Sequence, residues 1–326
     1  MAKAIRIHET GGPDVLRWED VELSQPAEGE VLINQRAVGL NFIDVYFRTG
    51  TYPAPAGLPF VLGMEASGVI QAVGPGVSDL EVGDRVAYGI GALGAYADER
   101  LVPAKRLVRV PASIDDNTAA AMMLKGLTAQ YLLRRAYRVQ SGDTILFHAA
   151  AGGVGLIACQ WAKHLGATVI GTVSSEEKAK LAADHGCDHP VIYTKEDFAK
   201  RVHEITSGEG VPVVYDSVGK DTFMQSLDCL RPLGVMVSFG QSSGVVPPFN
   251  IGALSQKGSL FLTRPTLMTY AGKREDLVTM SQDLFDVVGQ GVVKIEVRQT
   301  FPLKDAAEAH RALEGRRTTG STVLLP

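Results

Sequence analysis

The stretch from Thr144 to Lys163 reads TILFHAAAGGVGLIACQWAK and passes from an apolar strand-type run through small residues into an apolar helix. A strand, a glycine turn and a helix in this order hold the pyrophosphate of a dinucleotide, because the first amides of the helix face the anion. We expect Gly152, Gly153 and Val154 to supply those amides. An alanine replaces the first glycine of the usual G-x-G-x-x-G pattern, so the alternative is a tight turn with a purely structural role.

The composition is that of a globular protein of about two domains, with 326 residues, 45% of them hydrophobic and 21% charged. The net charge of -4 argues against nucleic acid as a main partner. The chain contains no uncharged apolar run of about 18 residues, so no membrane span is predicted. The first residues, MAKAIR, lack the apolar core of a signal peptide. Three cysteines without metal-type spacing predict free thiols, no bound metal and a cytoplasmic protein.

Two kinds of pattern divide the chain. Residues 1–124 carry short strand-like runs between glycine and proline turns, which predicts a small β-rich, barrel-like domain. A helical stretch follows from about Asp115 to Arg138, and from Gly142 strands and helices alternate, which predicts an α/β fold with a doubly wound parallel sheet. The predicted strands are 144–148, 168–173, 213–216, 235–239 and 260–262, with a closing strand at 322–325. The predicted helices are 153–165, 175–185, 195–206, 221–230, 273–289 and 305–314, with helix ends at Gly166, Gly186 and Gly234.

The end of the second predicted strand indicates which nicotinamide cofactor binds. Ser174 and Ser175 stand there, followed by Lys178, where sites for NAD usually place a carboxylate. Hydroxyl and ammonium groups bind a 2′-phosphate and a carboxylate repels it, so we expect NADPH. Two alternatives remain open: Glu176 or Glu177 bends back to the ribose, or a serine only caps the next helix.

Four further motifs accompany the glycine turn, GLNFIDVY at 39–46, GMEASG at 63–68, LKGLTA at 124–129 and VYDSVG at 214–219. In this order they resemble the medium-chain dehydrogenase/reductase superfamily, and most of all its zinc-independent bacterial NADPH:quinone oxidoreductases, which are related to zeta-crystallin. The resemblance implies a GroES-like catalytic domain at 1–124, completed by 266–326, and a Rossmann dinucleotide-binding domain at 125–265. It also implies a homodimer.

Two positions separate the chain from the zinc enzymes of that superfamily. Asn41 stands where they place a cysteine and Met64 where they place a histidine, and neither side chain is a zinc ligand. Without a metal to polarise an alcohol oxygen, the hydride acceptor must already be electrophilic. This favours NADPH-dependent reduction of quinones. The alternatives are reduction of α,β-unsaturated aldehydes or ketones and, in another class, a non-catalytic NADPH-binding protein with a structural or RNA-binding role.

Five residues are candidates for the catalytic site, namely Asn41, Asp44, Tyr46, Tyr52 and Arg264. Asn41, with Asp44 close by, is expected to orient the nicotinamide ribose or a substrate oxygen, and the alternative is that it stabilises a turn. Either tyrosine is expected to stack on a quinone or to donate a hydrogen bond to its oxygen, unless both only pack the domain junction. By the resemblance Arg264 faces the active-site cleft and stabilises a quinolate, and the alternative is a structural ion pair.

The resemblance also places cofactor residues outside the glycine turn. It puts Lys125, Gly126 and Thr128, at the opening of a helix, near the nicotinamide end of the cofactor. Tyr193 is expected to follow a strand and to pack against the adenosine phosphate. Further candidates end the next two predicted strands, at the edge where open α/β sheets bind ligands, namely Ser217, Phe239 and Gly240. Structural roles are assigned to His148, Glu65 and Trp161.

Overall fold

The computed structural model describes residues 1–54 and 57–326, which fall into two compact units. The first unit combines residues 1–127, 270–289 and 295–326, and the second combines residues 128–269 and 290–294. The boundary after Leu127 lies inside a single helix, Asp116–Tyr131.

Strands dominate the first part of the chain. Its elements are β1 (Ala2–Ile7), β2 (Arg17–Val21), β3 (Glu30–Leu40), α1 (Phe42–Arg48), β4 (Phe60–Val61), β5 (Glu65–Val73), β6 (Arg85–Tyr88), β7 (Glu99–Pro103), β8 (Val108–Arg109) and α2 (Asp116–Tyr131). Along the first half of β3 the side chains alternate between buried and partly exposed, so Val31 and Ile33 reach the core of the first unit. A π-helical turn at Leu132–Ala136 continues α2.

Strands and helices alternate through the second unit. Its elements are β9 (Thr144–Phe147), α3 (Gly153–His164), β10 (Thr168–Val173), α4 (Glu176–Asp184), β11 (His189–Ile192), α5 (Phe198–Ile205), β12 (Val211–Asp216), α6 (Phe223–Asp228), β13 (Leu230–Ser238), α7 (Gly252–Gln256), β14 (Phe261–Thr263) and α8 (Leu267–Tyr270), the last of which ends at the unit boundary. The six strands pair in parallel in the order β11-β10-β9-β12-β13-β14. All six residues of β12 are buried, as expected for a parallel strand that is covered on both faces. This confirms the predicted α/β fold with a doubly wound parallel sheet.

The tail completes the first unit. It forms α9 (Arg274–Gly289), β15 (Val297–Pro302), α10 (Ala306–Glu314) and β16 (Ser321–Leu325). The closing strand β16 pairs with β15 on one side and with β3 on the other, within the sheet β15-β16-β3-β5-β6-β8, where β7 also pairs with β3. A smaller sheet has the order β2-β1-β4. In the described part of the chain, no helix is long and apolar enough to cross a membrane.

The sequence predictions differ from the structure in three details. The strand expected before Tyr193 was given no bounds, because the four residues of β11 include a proline, which an edge strand tolerates. Gly234 lies inside β13 and ends no helix, whereas Gly166 and Gly186 do follow helices and have positive φ angles. Lys125 and Thr128 do not open a helix, because α2 begins at Asp116 and both lie in its second half.

Candidate active site

The candidate residues of the second unit lie along one edge of its sheet. Every strand has one or more of them beyond its carboxyl end, Gly152–Val154 after β9, Ser174 and Ser175 after β10, Tyr193 after β11, Ser217 after β12, Phe239 and Gly240 after β13, and Arg264 after β14. The chain leaves β9 toward one side of the sheet and later returns to β12 on the other, which is the switch point where such sheets bind ligands. The structure therefore brings these residues to the edge that the sequence predicted.

The glycine turn is shaped as an anion site. Ala149 takes a left-handed backbone with φ 55°, and the Gly152 amide donates to its carbonyl oxygen at 2.9 Å. Gly152 is the N-cap of α3 and provides no side chain to cap it, so the first amides of the helix have no helical acceptor and face outward. A Cβ on Gly155 would lie 2.4 Å from the Ala149 oxygen, so this tight turn requires glycine there.

The ends of β10 and β11 lie side by side. The Tyr193 amide donates to the Val173 carbonyl at 3.1 Å, and the Thr194 hydroxyl donates to the Ser174 carbonyl at 3.2 Å. Ser175 caps α4, because its Oγ accepts from the Lys178 amide at 3.3 Å. The cap and a role in phosphate binding are compatible, since Ser175 is only partly buried.

Glu176 and Glu177 are the two carboxylates that could favour NAD over NADPH, but neither has the surroundings of a ribose-binding acid. Glu176 forms a salt bridge with Lys195, Oε1 to Nζ 2.8 Å, on the protein surface. Glu177 is exposed on the first turn of α4. Neither side chain holds the place at the end of β10 that Ser174 occupies.

Asp216 organises the turn that carries Ser217. Its Oδ1 accepts from the amides of Val218 and Gly219 at 2.7 and 3.0 Å, and its Oδ2 accepts from the Thr222 hydroxyl at 2.7 Å. Asp216 belongs to the VYDSVG motif, but no local pattern in the sequence indicates its role. Three oriented donors explain an acid at the end of a buried strand.

The residues that follow β13 contact the turn that follows β12. A Cβ on Gly240 would lie 2.6 Å from the Ser217 carbonyl oxygen, so the two backbones are in contact. Phe239 packs against Phe147 with ring centroids 5.7 Å apart, and Arg264 Nη1 donates to the Ser238 carbonyl at 3.1 Å.

His148 has the surroundings of a structural residue. It is fully buried, with Nδ1 2.8 Å from the Thr172 hydroxyl and Nε2 2.9 Å from the Ser226 hydroxyl. Burial lowers its pKa below the usual value, so the ring is neutral. It joins β9, β10 and α6 beneath the sheet edge, in agreement with the role assigned from the sequence.

In the first unit, Glu65 gathers three donors. Its Oε2 accepts from Asn41 Nδ2 and from Lys125 Nζ, both at 2.8 Å, and its Oε1 accepts from the Leu124 amide at 2.7 Å. A Cβ on Gly39 would lie 2.2 Å from Oε2, so glycine at this position makes room for the carboxylate. Glu65 is completely buried and is a structural carboxylate, as expected, but its partner is a lysine.

Asp44 fixes the backbone of Asn41. Its Oδ2 accepts from the Asn41 amide at 2.9 Å and from the Tyr96 hydroxyl at 3.0 Å, while Oδ1 has no partner in the described structure. Because Asp44 is fully buried, its pKa is raised from 3.8 to about 7. With Oδ2 occupied as an acceptor, a proton on Asp44 resides on Oδ1.

Tyr96, His310 and Arg48 form a chain of buried polar groups that continues from Asp44 Oδ2. His310 Nε2 lies 3.0 Å from the Tyr96 hydroxyl, and Nδ1 lies 2.9 Å from Arg48 Nη1. Since arginine only donates, Nδ1 must accept and Nε2 carries the hydrogen. Burial and the Arg48 charge lower the pKa of His310 to about 3. Arg48, itself fully buried, binds both carboxylate oxygens of Glu314 at 2.7 and 2.8 Å.

Aromatic rings gather on α1 and the loop after it. The Tyr46 and Tyr52 rings lie 5.1 Å apart, Phe42 lies 5.7 Å from Tyr46, and Phe47 lies 5.7 Å from Tyr52 edge-on. Both tyrosines are partly exposed, so they form a surface against which a flat molecule can pack.

The LKGLTA motif lies on α2. Lys125 reaches Glu65, as described, and Thr128 is buried on the same helix just past the unit boundary. Gly126 packs under α9, where a Cβ would lie 2.5 Å from the Leu284 side chain. Helix packing explains this glycine without a cofactor, so its predicted contact with NADPH gains no support from its surroundings.

The chain matches known families over both units. Residues 27–112 match the model described as the alcohol dehydrogenase GroES-like domain, and residues 153–284 match that of the zinc-binding dehydrogenases. A quinone oxidoreductase of Pseudomonas aeruginosa is 56% identical over 100% of both chains, and a 2-haloacrylate reductase of Burkholderia sp. is 50% identical over 100% of this chain and 99% of its own. The crystal structure of Escherichia coli quinone oxidoreductase complexed with NADPH is 50% identical and superposes with a TM-score of 0.98 over 100% of each chain.

The side chains of the first unit do not fit the zinc ion that the second family description implies. The two hydrogens of the Asn41 amide point to Glu65 and to the Gly39 carbonyl, and the Lys125 ammonium binds the same glutamate. An amide nitrogen and an ammonium group are not zinc ligands. Among the described residues, no group of three or more His, Cys, Asp or Glu side chains is placed to hold a metal ion.

Proposed function

Because the chain belongs to the quinone oxidoreductase family of the medium-chain dehydrogenases/reductases, we infer that it reduces quinones by direct hydride transfer from NADPH without a metal. One observation carries the choice of acceptor: the side chains around Glu65 are a cation and an amide, and they offer no metal donor set. An acceptor that spreads the incoming charge by conjugation needs no Lewis acid, so positioning does most of the work.

The second unit fits NADPH along its sheet edge. We propose that the amides of Gly153 and Val154 hold the pyrophosphate at the start of α3, and that Gly152, whose own amide donates to Ala149, lets the phosphate approach the backbone closely. When bound, NADPH supplies the hydride. The 2′-phosphate is assigned to Ser174, Ser175 and Lys178, with Tyr193 beside it, because no carboxylate occupies the end of β10. Thr128, Ser217, Phe239 and Gly240 are assigned to the nicotinamide half.

Asn41 is assigned to the nicotinamide ribose. Its side-chain nitrogen already donates to Glu65 Oε2 at 2.8 Å and to the Gly39 carbonyl at 3.2 Å. Both amide hydrogens are therefore used, and only Oδ1 remains for a ligand. An oxygen acceptor suits a ribose hydroxyl and cannot stabilise a substrate oxyanion, which favours the first of the two roles expected for Asn41. Asp44 then acts as a positioning residue through the Asn41 backbone.

The tyrosines and Arg264 are assigned to the acceptor. Tyr46 and Tyr52 offer partly exposed rings against which a flat quinone can stack. We propose that Arg264 faces the acceptor as a cation and that its bond to the Ser238 carbonyl orients it. No side chain need act as an obligatory base, because the reduced quinone takes its proton from solvent.

A second candidate function is NADPH-dependent reduction of α,β-unsaturated carbonyl compounds. It is favoured by the 50% identity to the 2-haloacrylate reductase, whose named substrate is a conjugated alkene. A panel of quinones and alkenals, assayed by NADPH oxidation with product analysis, separates the two candidates. Rapid turnover of quinones supports the first. Turnover of alkenals alone supports the second, and tight NADPH binding without any acceptor-dependent oxidation would identify a non-catalytic binding protein.

We further propose the domain arrangement and assembly that the family suggests. The catalytic domain comprises 1–124 with 266–326, and the Rossmann domain comprises 125–265. A homodimer is supported by β14, the last strand of its sheet, because 60% of Phe261 and 38% of Leu262 are exposed there. A cytoplasmic location is supported by the three buried free thiols, which suit a reducing compartment.

A further inference from the structure

We propose that Lys125 is a catalytic cation whose ammonium group hydrogen-bonds the acceptor oxygen on which negative charge develops during hydride transfer. The proposal rests on the proposed function and names the group that replaces a metal in it. Lys125 would then touch the acceptor rather than the cofactor, which differs from the position that the family resemblance implied.

The first support is the number of hydrogens that Lys125 has available. Its ammonium group carries three donors, and in the described structure only one is used, toward Glu65 Oε2 at 2.8 Å. The side chain is only 6% exposed, so water satisfies the remaining donors poorly. A nearly buried ammonium with unused donors is suited to a ligand oxygen.

The second support is that the Glu65 charge is shared. The carboxylate accepts from the Asn41 amide and the Leu124 amide as well as from Lys125. Hydrogen bonds from neutral donors disperse the negative charge over several partners, so Lys125 keeps much of its positive field. The same Glu65 oxygen binds Asn41 and Lys125, which places the cation next to the residue assigned to the ribose.

The third support is energetic. A buried lysine–glutamate pair contributes little net stability, because removing both charges from water costs about as much as their attraction returns. Apolar side chains at both positions would serve packing equally well. A cation held at this position is therefore explained better by a charge that appears only during the reaction.

In the proposed step, a C–H bond of the NADPH nicotinamide would break, and the hydride, which carries two electrons and one hydrogen, would bond to one quinone oxygen and leave NADP+. The other quinone oxygen would become an anion, which Lys125 stabilises while keeping its own proton. That oxygen then takes a proton from solvent, so the sum is quinone, NADPH and one proton to hydroquinone and NADP+.

The decisive comparison is between Glu65→Gln and the double variant Glu65→Gln with Lys125→Met. Both lack the buried carboxylate charge, so they differ only in the residue at position 125. Because Glu65→Gln leaves the Lys125 ammonium nearly buried without its carboxylate, Lys125→Arg, which keeps both charges, takes its place in the comparison if Glu65→Gln does not fold. We expect kcat for quinone reduction to be about 100-fold lower in the double variant, with KM for NADPH changed little. Lys304→Met, at an exposed lysine in the first unit, is the matched control and should retain wild-type activity.

A binding measurement tests the same cation without turnover. 4-Nitrophenol, whose phenolate absorbs visible light, is titrated into each protein in the presence of NADP+. The proteins that keep a cation, including Lys125→Arg, should bind the phenolate about 10- to 100-fold more tightly than the double variant. Equal phenolate affinity in Glu65→Gln and the double variant, with equal kcat, would overturn the proposal.

These experiments distinguish a failure of the proposed quinone reduction from a failure of the role proposed for Lys125. If no acceptor supports NADPH oxidation by the wild-type protein, the proposed function is wrong, and the phenolate titration still decides whether Lys125 binds a developing anion. If quinones turn over rapidly in the wild type and equally rapidly in Glu65→Gln and the double variant, the function stands and Lys125 is a structural residue.

Discussion

Replacing Asp44 with asparagine should change how the stability of the first unit depends on pH. Asp44 is fully buried, and its pKa is raised from 3.8 to about 7 because burial disfavours the carboxylate. Asparagine keeps an oxygen for the Asn41 amide and the Tyr96 hydroxyl and places a neutral group at Oδ1. The variant therefore resembles the protonated acid at every pH.

The magnitude follows from the two pKa values. The folded protein holds the Asp44 proton more tightly than the unfolded chain, so this contribution to stability is complete below pH 3.8 and is lost as pH rises through about 7. A difference of roughly three pKa units, at about 1.4 kcal/mol each, corresponds to about 4 kcal/mol. The free energy of unfolding of the wild type should therefore fall by about 4 kcal/mol relative to Asp44→Asn across this range.

His310 makes the comparison between proteins necessary. Its pKa is lowered from 6.5 to about 3, so its contribution to stability is present above pH 6.5 and is lost as pH falls through about 3. The two residues oppose each other across mildly acid pH, and the wild-type profile alone hides both. The difference between wild type and variant cancels His310 and isolates Asp44.

Urea unfolding between roughly pH 3.5 and pH 8 provides the measurement. The chain has two tryptophans, Trp18 in the first unit and Trp161 in the second, so a Trp161→Phe background makes fluorescence report the first unit. Asp20, whose half-exposed side chain pairs with Lys3, provides the control. The free energy of unfolding of Asp20→Asn should vary with pH as that of the wild type does. A difference between wild type and Asp44→Asn that stays constant with pH would refute the reasoning.

Three further predictions concern the cofactor and acceptor sites. Replacing Ser174 and Lys178 together with alanine and methionine should weaken NADPH binding about 10- to 100-fold and leave NADH binding nearly unchanged, as measured by fluorescence titration; equal losses would remove the 2′-phosphate argument. Tyr46→Phe and Tyr52→Phe should each lower kcat less than about tenfold, because stacking survives the loss of the hydroxyl, and a loss of several orders of magnitude would contradict this. Gly155→Ala places a Cβ 2.4 Å from the turn backbone, so thermal unfolding should show a loss of about 1–3 kcal/mol, together with weaker NADPH binding; an unchanged melting temperature would speak against the tight turn.

The parallel sheet and its ligand edge were predictable from local patterns. A buried strand followed by a glycine turn and a helix is encoded within twenty consecutive residues, 144–163. Since parallel strands share one carboxyl edge, each residue after a strand could be placed without knowing the strand order. The sequence did not give the bounds of β11, where a proline interrupts a short run, and it was wrong at Gly234, where a glycine lies within a strand.

The buried network that holds Asn41 in place could not be predicted from the sequence. Arg48 and His310 are 262 positions apart, and the network joins them to Asp44 only because the tail returns to the first unit. No local pattern marks a buried arginine or a neutral histidine at that distance. The contact between Glu65 and Lys125 was missed for a related reason. The two residues are 60 positions apart, and local patterns mark Lys125 only as an ordinary helix residue.

The central claim is that NADPH reduces a quinone in this protein without a metal. Metal analysis of the purified protein, combined with stopped-flow quinone reduction before and after treatment with a strong chelator, tests it most directly. We expect far less than one zinc ion per chain and an unchanged rate of NADPH oxidation after chelation. One tightly held divalent ion per chain, with activity that disappears on its removal and returns on its addition, would contradict the account.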